Sequence, residues 1–324
     1  MKPMIFNKVS DTIKRYNLIS KGDKVLVAVS GGADSLTLLY LLRSLATPLG
    51  FKLEIAHLDH MLRKGSIKDA EFVRSLAVKL GIPVFIGKID VKKSGTKGSP
   101  EEIARNTRLD FLFKVAKEVK ADKIALAHNL DDQAETVLMR ILRGTGLYGL
   151  CGILPKRKIY GFEVIRPLIR IQRQEIESYL KKRKIKWRID PSNRQDIYFR
   201  NKIRNKLIPL LEKCYNPNIK DALSNMAEGI AFDYDYLNRA ALRVVKGKRG
   251  RVNLAAFLKM HPAMQRLVLR LSISKLQGST RRISSQHIKE IEDLITNRPI
   301  NSIVDLPKGI SAAKKAKSLI FYRR

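Results

Sequence analysis

The strongest constraint on this chain is a six-residue turn, Ser30-Gly31-Gly32-Ala33-Asp34-Ser35, set between two apolar runs. The preceding run, Val25-Leu26-Val27-Ala28-Val29, reads as a buried strand, and the following run, Leu36-Thr37-Leu38-Leu39-Tyr40-Leu41-Leu42, as a buried helix. A small, glycine-rich turn between strand and helix lets backbone amides approach an anion closely, and the helix N-terminus adds partial positive charge. Ser30 and Ser35 offer hydroxyl donors. Asp34 is the discordant residue, because a carboxylate beside a phosphate repels it unless a cation lies between them. The loop therefore predicts a phosphate chain held by residues 30–35 together with magnesium. No Walker lysine follows, which excludes an ordinary P-loop. The plainer alternative is a tight turn in which Ser or Asp only caps a helix.

The first half of the chain alternates strand-like and helix-like segments. Strands are expected at Lys24–Val29, Lys52–His57, Pro83–Gly87, Lys123–Ala127 and Phe162–Arg166. Helices are expected at Ser35–Leu45, Ile67–Leu80, Pro100–Val119 and Asp131–Leu142, with a further one at Gln172–Lys184. The alternation predicts an α/β fold, a parallel sheet with helices on both faces. Such sheets bind ligands beyond the carboxyl ends of their strands, near the switch in strand order. The turn at 30–35, His57-Leu58-Asp59-His60 and His128-Asn129 all lie just after an expected strand.

Three segments follow from the pattern: a nucleotide-binding domain over 1–215, a helical linker over 216–242 and a small basic α+β domain over 243–324. In the last, Leu254–Lys275 and Ser285–Ile295 read as helices and Leu319–Tyr322 as a closing strand. Hydrophobic residues make up 44% of the 324, enough for a sizeable core, yet the net charge is +34. From Ala241 to Arg324 there are 19 Lys or Arg against 4 Asp or Glu, so charge is concentrated in the terminal part. A surface this positive predicts a polyanionic partner: nucleic acid first, an anionic membrane second. Solubility or an AT-rich genome is the competing explanation. The two cysteines, Cys151 and Cys214, support neither a disulfide framework nor a zinc site. No signal-peptide core or membrane-length apolar run occurs, so a soluble, cytoplasmic location is expected.

The second chemical signal is Ala127-His128-Asn129-Leu130-Asp131-Asp132-Gln133-Ala134-Glu135-Thr136. Asp132 and Glu135 are three apart at a helix start and share a face, which suits a second acidic contribution opposite Asp34. Favourable charge at the positive end of the helix dipole is the simpler account. His57 reads as lining the nucleotide pocket or as capping its strand. A zinc site from His57 and His60 lacks further ligands. Arg105 and Arg108 lie on a helix that begins on the ligand side, where an arginine can hold a carboxylate bidentately. A plain Glu101–Arg105 surface pair accounts for the first of them equally well. Arg200 and Arg204 suit phosphate contact, or a basic exposed helix face.

The order of these motifs resembles that of the tRNA(Ile)-lysidine synthase family, within the PP-loop ATP pyrophosphatases. The matching elements are SGGADS, HLDHMLR, EEIAR with Arg108, AHNLDDQAET, RGTG, the RPL of Arg166–Leu168, DPSN at Asp190–Asn193, and RNKIR at Arg200–Arg204. They span about 24 to 212, and a weaker likeness continues through the small domain. The resemblance implies an adenine nucleotide alpha hydrolase-like sheet and a ligase. It would use ATP and Mg2+ to join L-lysine to C2 of the wobble cytidine of a CAU-anticodon isoleucine tRNA. Carried onto this sequence, it implies that Ser30, Gly31, Gly32, Ala33, Asp34 and Ser35 hold pyrophosphate, with His57 and His128 beside the nucleotide. Asp34 and Glu135 are the implied magnesium ligands, and Asp132 the partner of the lysine ammonium. Arg108, then Arg105, is the implied carboxylate holder, and Arg200 and Arg204 face phosphate. The resemblance implies that longer family members carry a further tRNA-binding domain, which is not expected within these 324 residues. The charge of the small domain, including Arg281 and Arg282, is expected to take part of that role. A homodimer is compatible with the sequence.

Three rival readings remain. A tRNA thiolase of the same superfamily needs a sulfur-carrying cysteine, and Cys151 and Cys214 form no Cys-x-x-Cys pair. A small-molecule amide synthetase would not need such charge. A non-catalytic RNA-binding protein would not need Asp34, Asp132 and Glu135 intact, and ATP-dependent pyrophosphate release separates it from an enzyme.

Overall fold

The computed structural model describes residues 4–59, 61, 66–89, 100–188, 199–247, 250–278 and 283–324. The chain divides into two units, Met1–Gly229 and Ile230–Arg324. The first begins with a helix that the sequence analysis did not anticipate, α1 (Met4–Arg15), whose Ile5, Phe6, Val9 and Ile13 are buried along one stripe. Then come β1 (Lys24–Ala28), α2 (Ala33–Leu49), β2 (Lys52–Asp59), α3 (Ser66–Leu80), β3 (Val84–Lys88), α4 (Pro100–Glu118) and β4 (Lys123–Ala125). After these come α5 (Leu130–Leu142), the single turn α6 (Leu147–Leu150), β5 (Lys156–Ile159), β6 (Phe162–Ile165) and α7 (Arg173–Lys182). A broken helix follows: α8 (Phe199–Lys202), a π-helical turn (Ile203–Leu207) and α9 (Ile208–Cys214). The long α10 (Ile219–Val245) begins in the first unit and ends in the second.

The six strands lie in the order β3-β2-β1-β4-β6-β5. All neighbours are parallel except β5 and β6, an antiparallel hairpin closed by Tyr160 and Gly161, both at positive φ. The edge strand β5 escaped the sequence analysis because Lys156-Arg157-Lys158 reads as a charged loop. Those charges suit an edge, where they discourage pairing with another chain. Successive β1 residues serve opposite faces. Val25 and Val27 pack with Ile55, Ala125, Leu36 and Leu39 on one side, and Leu26 packs with Ala56, Ile124, Leu112 and Val164 on the other. The first face is covered by α1, α2, α3 and α7, the second by α4. A double-sided core explains why β1 is a continuous apolar run rather than an alternating one.

Strand order reverses at β1. The chain runs outward through β2 and β3, then returns to place β4 on the other flank of β1. The turns after β1 and after β4 therefore diverge above the sheet and leave a crevice between them. A separate small core of Ala134 and Val137 from α5, Ile203, Ile208, and Leu223 and Ala227 from α10 holds the broken helix beside that crevice.

The second unit is a four-stranded antiparallel sheet with helices. Its strands β7 (Arg251–Asn253), β8 (Ile303–Leu306), β9 (Ile310–Lys314) and β10 (Ser318–Arg323) lie in the order β7-β10-β9-β8. Helices α11 (Leu254–Leu258), α12 (Pro262–Gln277) and α13 (Ser285–Thr296) complete it. The single helix expected over Leu254–Lys275 is two. Pro262 starts a new helix, and His261 before it is extended, with ψ 140°, as a pre-proline residue prefers. Arg281 and Arg282 lie outside the described residues.

Gly250 sits at φ +73°, and a β-carbon there would lie 2.5 Å from the Phe321 carbonyl oxygen on β10, an interior strand of this sheet. Gly250→Ala should therefore destabilise the protein by about 1–3 kcal/mol. A denaturant midpoint equal to that of the parent would show that the backbone there relaxes freely.

Candidate active site

The turn after β1 is built as an anion cradle. Gly31 takes φ +86°, which residues with a β-carbon rarely adopt, and turns the chain so that Gly32 can cap α2. The Ser35 hydroxyl donates to the Gly32 carbonyl at 3.0 Å and accepts from the Ser30 amide at 3.1 Å, so the loop is closed on itself. The Ser30 hydroxyl lies 3.2 Å from that of Ser35 and accepts from the Gly32 amide at 3.3 Å. From outside, the Arg188 amide donates to the Gly31 carbonyl at 2.9 Å. Ala33, the first residue of α2, is buried, and its small size lets the turn pack on the sheet.

Across the crevice, Asn129 caps α5. Its side chain accepts from the Asp132 amide at 2.9 Å, and its own amide donates back to the Asp132 carboxylate at 3.1 Å. The remaining Asn129 side-chain donor reaches Asp34 at 2.9 Å. One residue thus fixes the helix start and ties the turn after β4 to the turn after β1. The other Asp34 oxygen accepts from the guanidinium of Arg173, which also donates to Glu177 at 2.9 Å. Arg173 has no motif signal in the sequence, because its partner is far away in the chain. Nearby, Asp131 accepts from the Arg173 amide at 2.7 Å and pairs with Lys220 at 3.0 Å. Asp131 is therefore a structural anchor, and its neighbour Asp132 points elsewhere.

Asp132 and Glu135 face the broken helix. Arg200 donates to Glu135 at 2.7 Å and to Asp132 at 2.9 Å, while Arg204 donates to both Glu135 oxygens, at 2.5 and 3.0 Å. Glu135 is 1% exposed, so these guanidiniums compensate a carboxylate taken fully out of water. The sequence places Arg200 and Arg204 four apart, and the π-helical turn that follows Lys202 holds both against the same two acids. Burial works against the charge of each arginine, but the acids outweigh it and both pKa values are raised. The Asp132 pKa is raised as well, to about 6, but here the rise disfavours the charge: burial penalises it and Glu135 and Asp34 repel it, with Arg200 opposing.

Arg108 is solvent-accessible yet crowded by protein, as expected of a side chain on a concave wall. Burial and the charge of Arg105 lower its pKa, while Asp132 supports its charge. His128 accepts from Arg166 at 3.3 Å, so its proton resides on the other ring nitrogen. Burial first, then Arg166, Arg108, Arg200 and Arg105, hold its pKa well below the usual histidine value. His128 is neutral at pH 7 and sits in a field of four arginines. His57 is buried, and its Nδ1 donates to the Val29 carbonyl at 2.7 Å, at the entry to the phosphate turn. Among the described residues its Nε2 has no partner, nor has one oxygen of buried Asp59 two residues on. The ring thus anchors the strand end. On α5, Gln133 accepts from the Ile153 amide at 2.5 Å, and Arg140 donates to the Gly149 and Gly152 carbonyls at 2.6 and 2.8 Å. These clamp the loop that follows Arg143-Gly144-Thr145-Gly146.

His60, Leu62 and Arg63 of HLDHMLR, and Asp190–Asn193, lie outside the described residues, as do the Glu101 and Glu102 side chains. Among the described residues no group of three acids, histidines or cysteines is close enough to hold a metal by itself. Asp34 and Glu135 nonetheless offer hard oxygen donors of the kind magnesium takes, and magnesium commonly binds one or two carboxylates together with substrate phosphates.

An anion cradle on a helix N-terminus, at the reversal point of a parallel sheet and faced by paired carboxylates and arginines, defines a nucleotide-using PP-loop protein. Residues 2–211 match the PP-loop domain model and residues 253–312 the TilS substrate binding domain model. The chain is 39% identical to the tRNA(Ile)-lysidine synthase of Clostridioides difficile, covering 98% of this chain and 70% of that one. It is 38% identical to the tRNA(Ile)-lysidine synthase of Caldanaerobacter subterraneus subsp. tengcongensis, covering 99% and 69%. The U34-tRNA thiolase NcsA from Methanococcus maripaludis, solved with its 4Fe-4S cluster, superposes with TM-score 0.60 over 70% of this chain and 77% of that one. At 24% identity that likeness is one of fold. The chain belongs to the tRNA(Ile)-lysidine synthase family.

Two outcomes follow from this geometry. Asn129→Ala removes a helix cap and should lower stability by about 1 kcal/mol, measured by chemical denaturation. The Asp132 pKa of about 6, against an ordinary 3.8, means the fold takes up a proton between those values. This group therefore disfavours the fold increasingly as pH rises from 4 to 6. Carboxyl-carbon NMR should show the Asp132 titration moving higher still in Arg200→Gln. A downward move would contradict the pairing.

Proposed function

We propose that this chain uses ATP to join lysine to C2 of the wobble cytidine of the CAU-anticodon isoleucine tRNA. Family membership over nearly the whole chain carries this reading. Cytosine O2 is a poor leaving group as a carbonyl. In the first step it attacks the α-phosphorus of ATP, forming a C2–O–P linkage as the bond to the β-phosphate oxygen breaks and pyrophosphate leaves. In the second step the neutral ε-amine of lysine attacks C2, the C2–O bond breaks and AMP departs with that oxygen. The amine proton is released to a base or to water.

In this reading Ser30, Gly31, Gly32, Ala33 and Ser35 hold the departing pyrophosphate through amides and hydroxyls on the α2 N-terminus. Magnesium, when bound, neutralises charge between the phosphate chain and its proposed ligands Asp34 and Glu135. Those carboxylates now accept from Asn129, Arg173, Arg200 and Arg204. In this reading, arginines released from these carboxylates turn toward phosphate. Asp132, ionised above about pH 6, pairs with the lysine ammonium, and Arg108 on the same wall, with Arg105 beside it, takes the lysine carboxylate. Neutral His128 shapes the nucleotide side without carrying charge to it, and His57 anchors the strand end beside it. Among the described residues no helix is long and apolar enough to cross a membrane, and the proposed place of action is the cytoplasm.

Radiolabelled lysine should enter purified minor isoleucine tRNA in the presence of ATP and magnesium, and Asp34→Ala should reduce this by about two orders of magnitude. No label in the parent enzyme would overturn the lysine assignment. Arg108→Ala should raise KM for lysine about 10- to 100-fold, the loss of a charged hydrogen-bond pair. Its tRNA-dependent pyrophosphate release should persist, and loss of that release instead would place Arg108 on the nucleotide.

A further inference from the structure

Next to the carboxylate cluster, the broken helix carries a surface that the chemistry above does not use. Phe199 is 42% exposed, although it directly precedes Arg200, which is bound to Glu135 and Asp132. The guanidinium of Arg143 lies 5.2 Å from the Phe199 ring centre. Phe199 forms the wall of a shallow apolar depression with Leu142, Leu207 and Leu210, rimmed by Lys202 and Lys206. Leu142 is 57% and Leu210 52% exposed. The two chain segments that line it are cationic, and Glu212, just beyond the second, is paired with Lys220 at 2.9 Å. Between Glu135 and Glu163 the chain has five Lys or Arg and no acid, and from Phe199 to Leu211 it has four and none. Arg200 and Arg204 turn to the acids, whereas Phe199, Lys202 and Lys206 line the depression.

An exposed aromatic ring with a cation on one face and lysines at its edge matches what a single-stranded nucleic acid needs. The base stacks on the ring and the backbone phosphates meet the cations. A buried core position would not leave the ring open, and a protein partner would be expected to offer acids to this rim. We propose that Phe199, backed by Arg143, is a stacking platform for one of the two nucleobases that flank the target cytidine. The platform holds the neighbour so that the cytidine itself is extruded toward Asp132 and Glu135. The proposal rests on the reading of this chain as a tRNA-modifying enzyme, and it adds a positioning residue to that reaction.

The test is a thermodynamic cycle between protein and RNA with the full chain and the anticodon stem-loop of the CAU isoleucine tRNA. Affinity is measured for the parent and Phe199→Ala, each against the normal loop and two loops carrying an abasic site 5′ or 3′ of the cytidine. Phe199→Ala should weaken the normal loop about tenfold, or about 1.4 kcal/mol. One abasic loop should weaken the parent similarly, and combining the two changes should add little more, because both remove the same stack. Phe199→Tyr should restore affinity. Thermal melting of each variant should match the parent, since the ring is exposed.

Independent, multiplying losses with both abasic loops, or unchanged affinity in Phe199→Ala, would overturn the platform while leaving the enzyme reading intact. Failure of the parent to bind or modify the normal loop and the whole tRNA would overturn the enzyme reading, and the platform with it. Dissociation of a dimer in Phe199→Ala, with RNA affinity unchanged, would assign the surface to a second copy of this chain.

Discussion

The structure of the site depends on one hydrogen bond that spans the reversal of the sheet, from Asn129 to Asp34. It joins the turn after β1 to the turn after β4, the two places where a parallel sheet leaves room for a ligand. The same Asn129 caps α5, and so decides where Asp132 and Glu135 sit relative to the phosphate cradle. Arg173 completes the arrangement from α7 by holding the other Asp34 oxygen. A few short polar contacts, each supported by a rigid element, thus gather groups that lie in four separate parts of the chain.

The electrostatics follow from burial. Three carboxylates in a confined space repel one another, and desolvation penalises each charge. Arg200, Arg204 and Arg173 make the cluster tolerable, and the strain that remains appears in Asp132, whose pKa rises to about 6. Asp132 is therefore the acid most ready to exchange partners near neutral pH. Glu135, enclosed by two guanidiniums on a π-helical turn, is the most firmly held by geometry. An arrangement that is already matched in charge can receive a polyanionic nucleotide and its cation by exchange of partners, without exposing an unpaired buried ion.

The second unit follows a different plan, an antiparallel sheet with its own core, and it carries a large share of the positive charge. Charge density of this kind gives long-range attraction to nucleic acid but little sequence discrimination. Discrimination is expected from aromatic and polar surfaces close to the chemistry. On the first unit, Phe199 and its cationic rim have that character.

The sheet class, four of the covering helices and the phosphate turn were legible in the sequence, because apolar periodicity and glycine-rich turns are local signals. Asp34, Asp132, Glu135, Arg200 and Arg204 were legible as candidates for the same reason, each lying in a short, distinctive block. Helix α1 and strand β5 were missed, the second because an edge strand rich in Lys and Arg lacks an apolar pattern. Pro262 was available in the sequence to divide the expected long helix, and the structure shows that it does so. What the sequence could not decide was pairing over distance. Arg173 meets Asp34, Asp131 turns away to Lys220 while Asp132 turns inward, and His57 spends its proton on a backbone carbonyl. The residues themselves determined which chemistry was available. Only the tertiary structure decided which charges face each other, because burial and distance, not sequence order, set the energy of a charge pair.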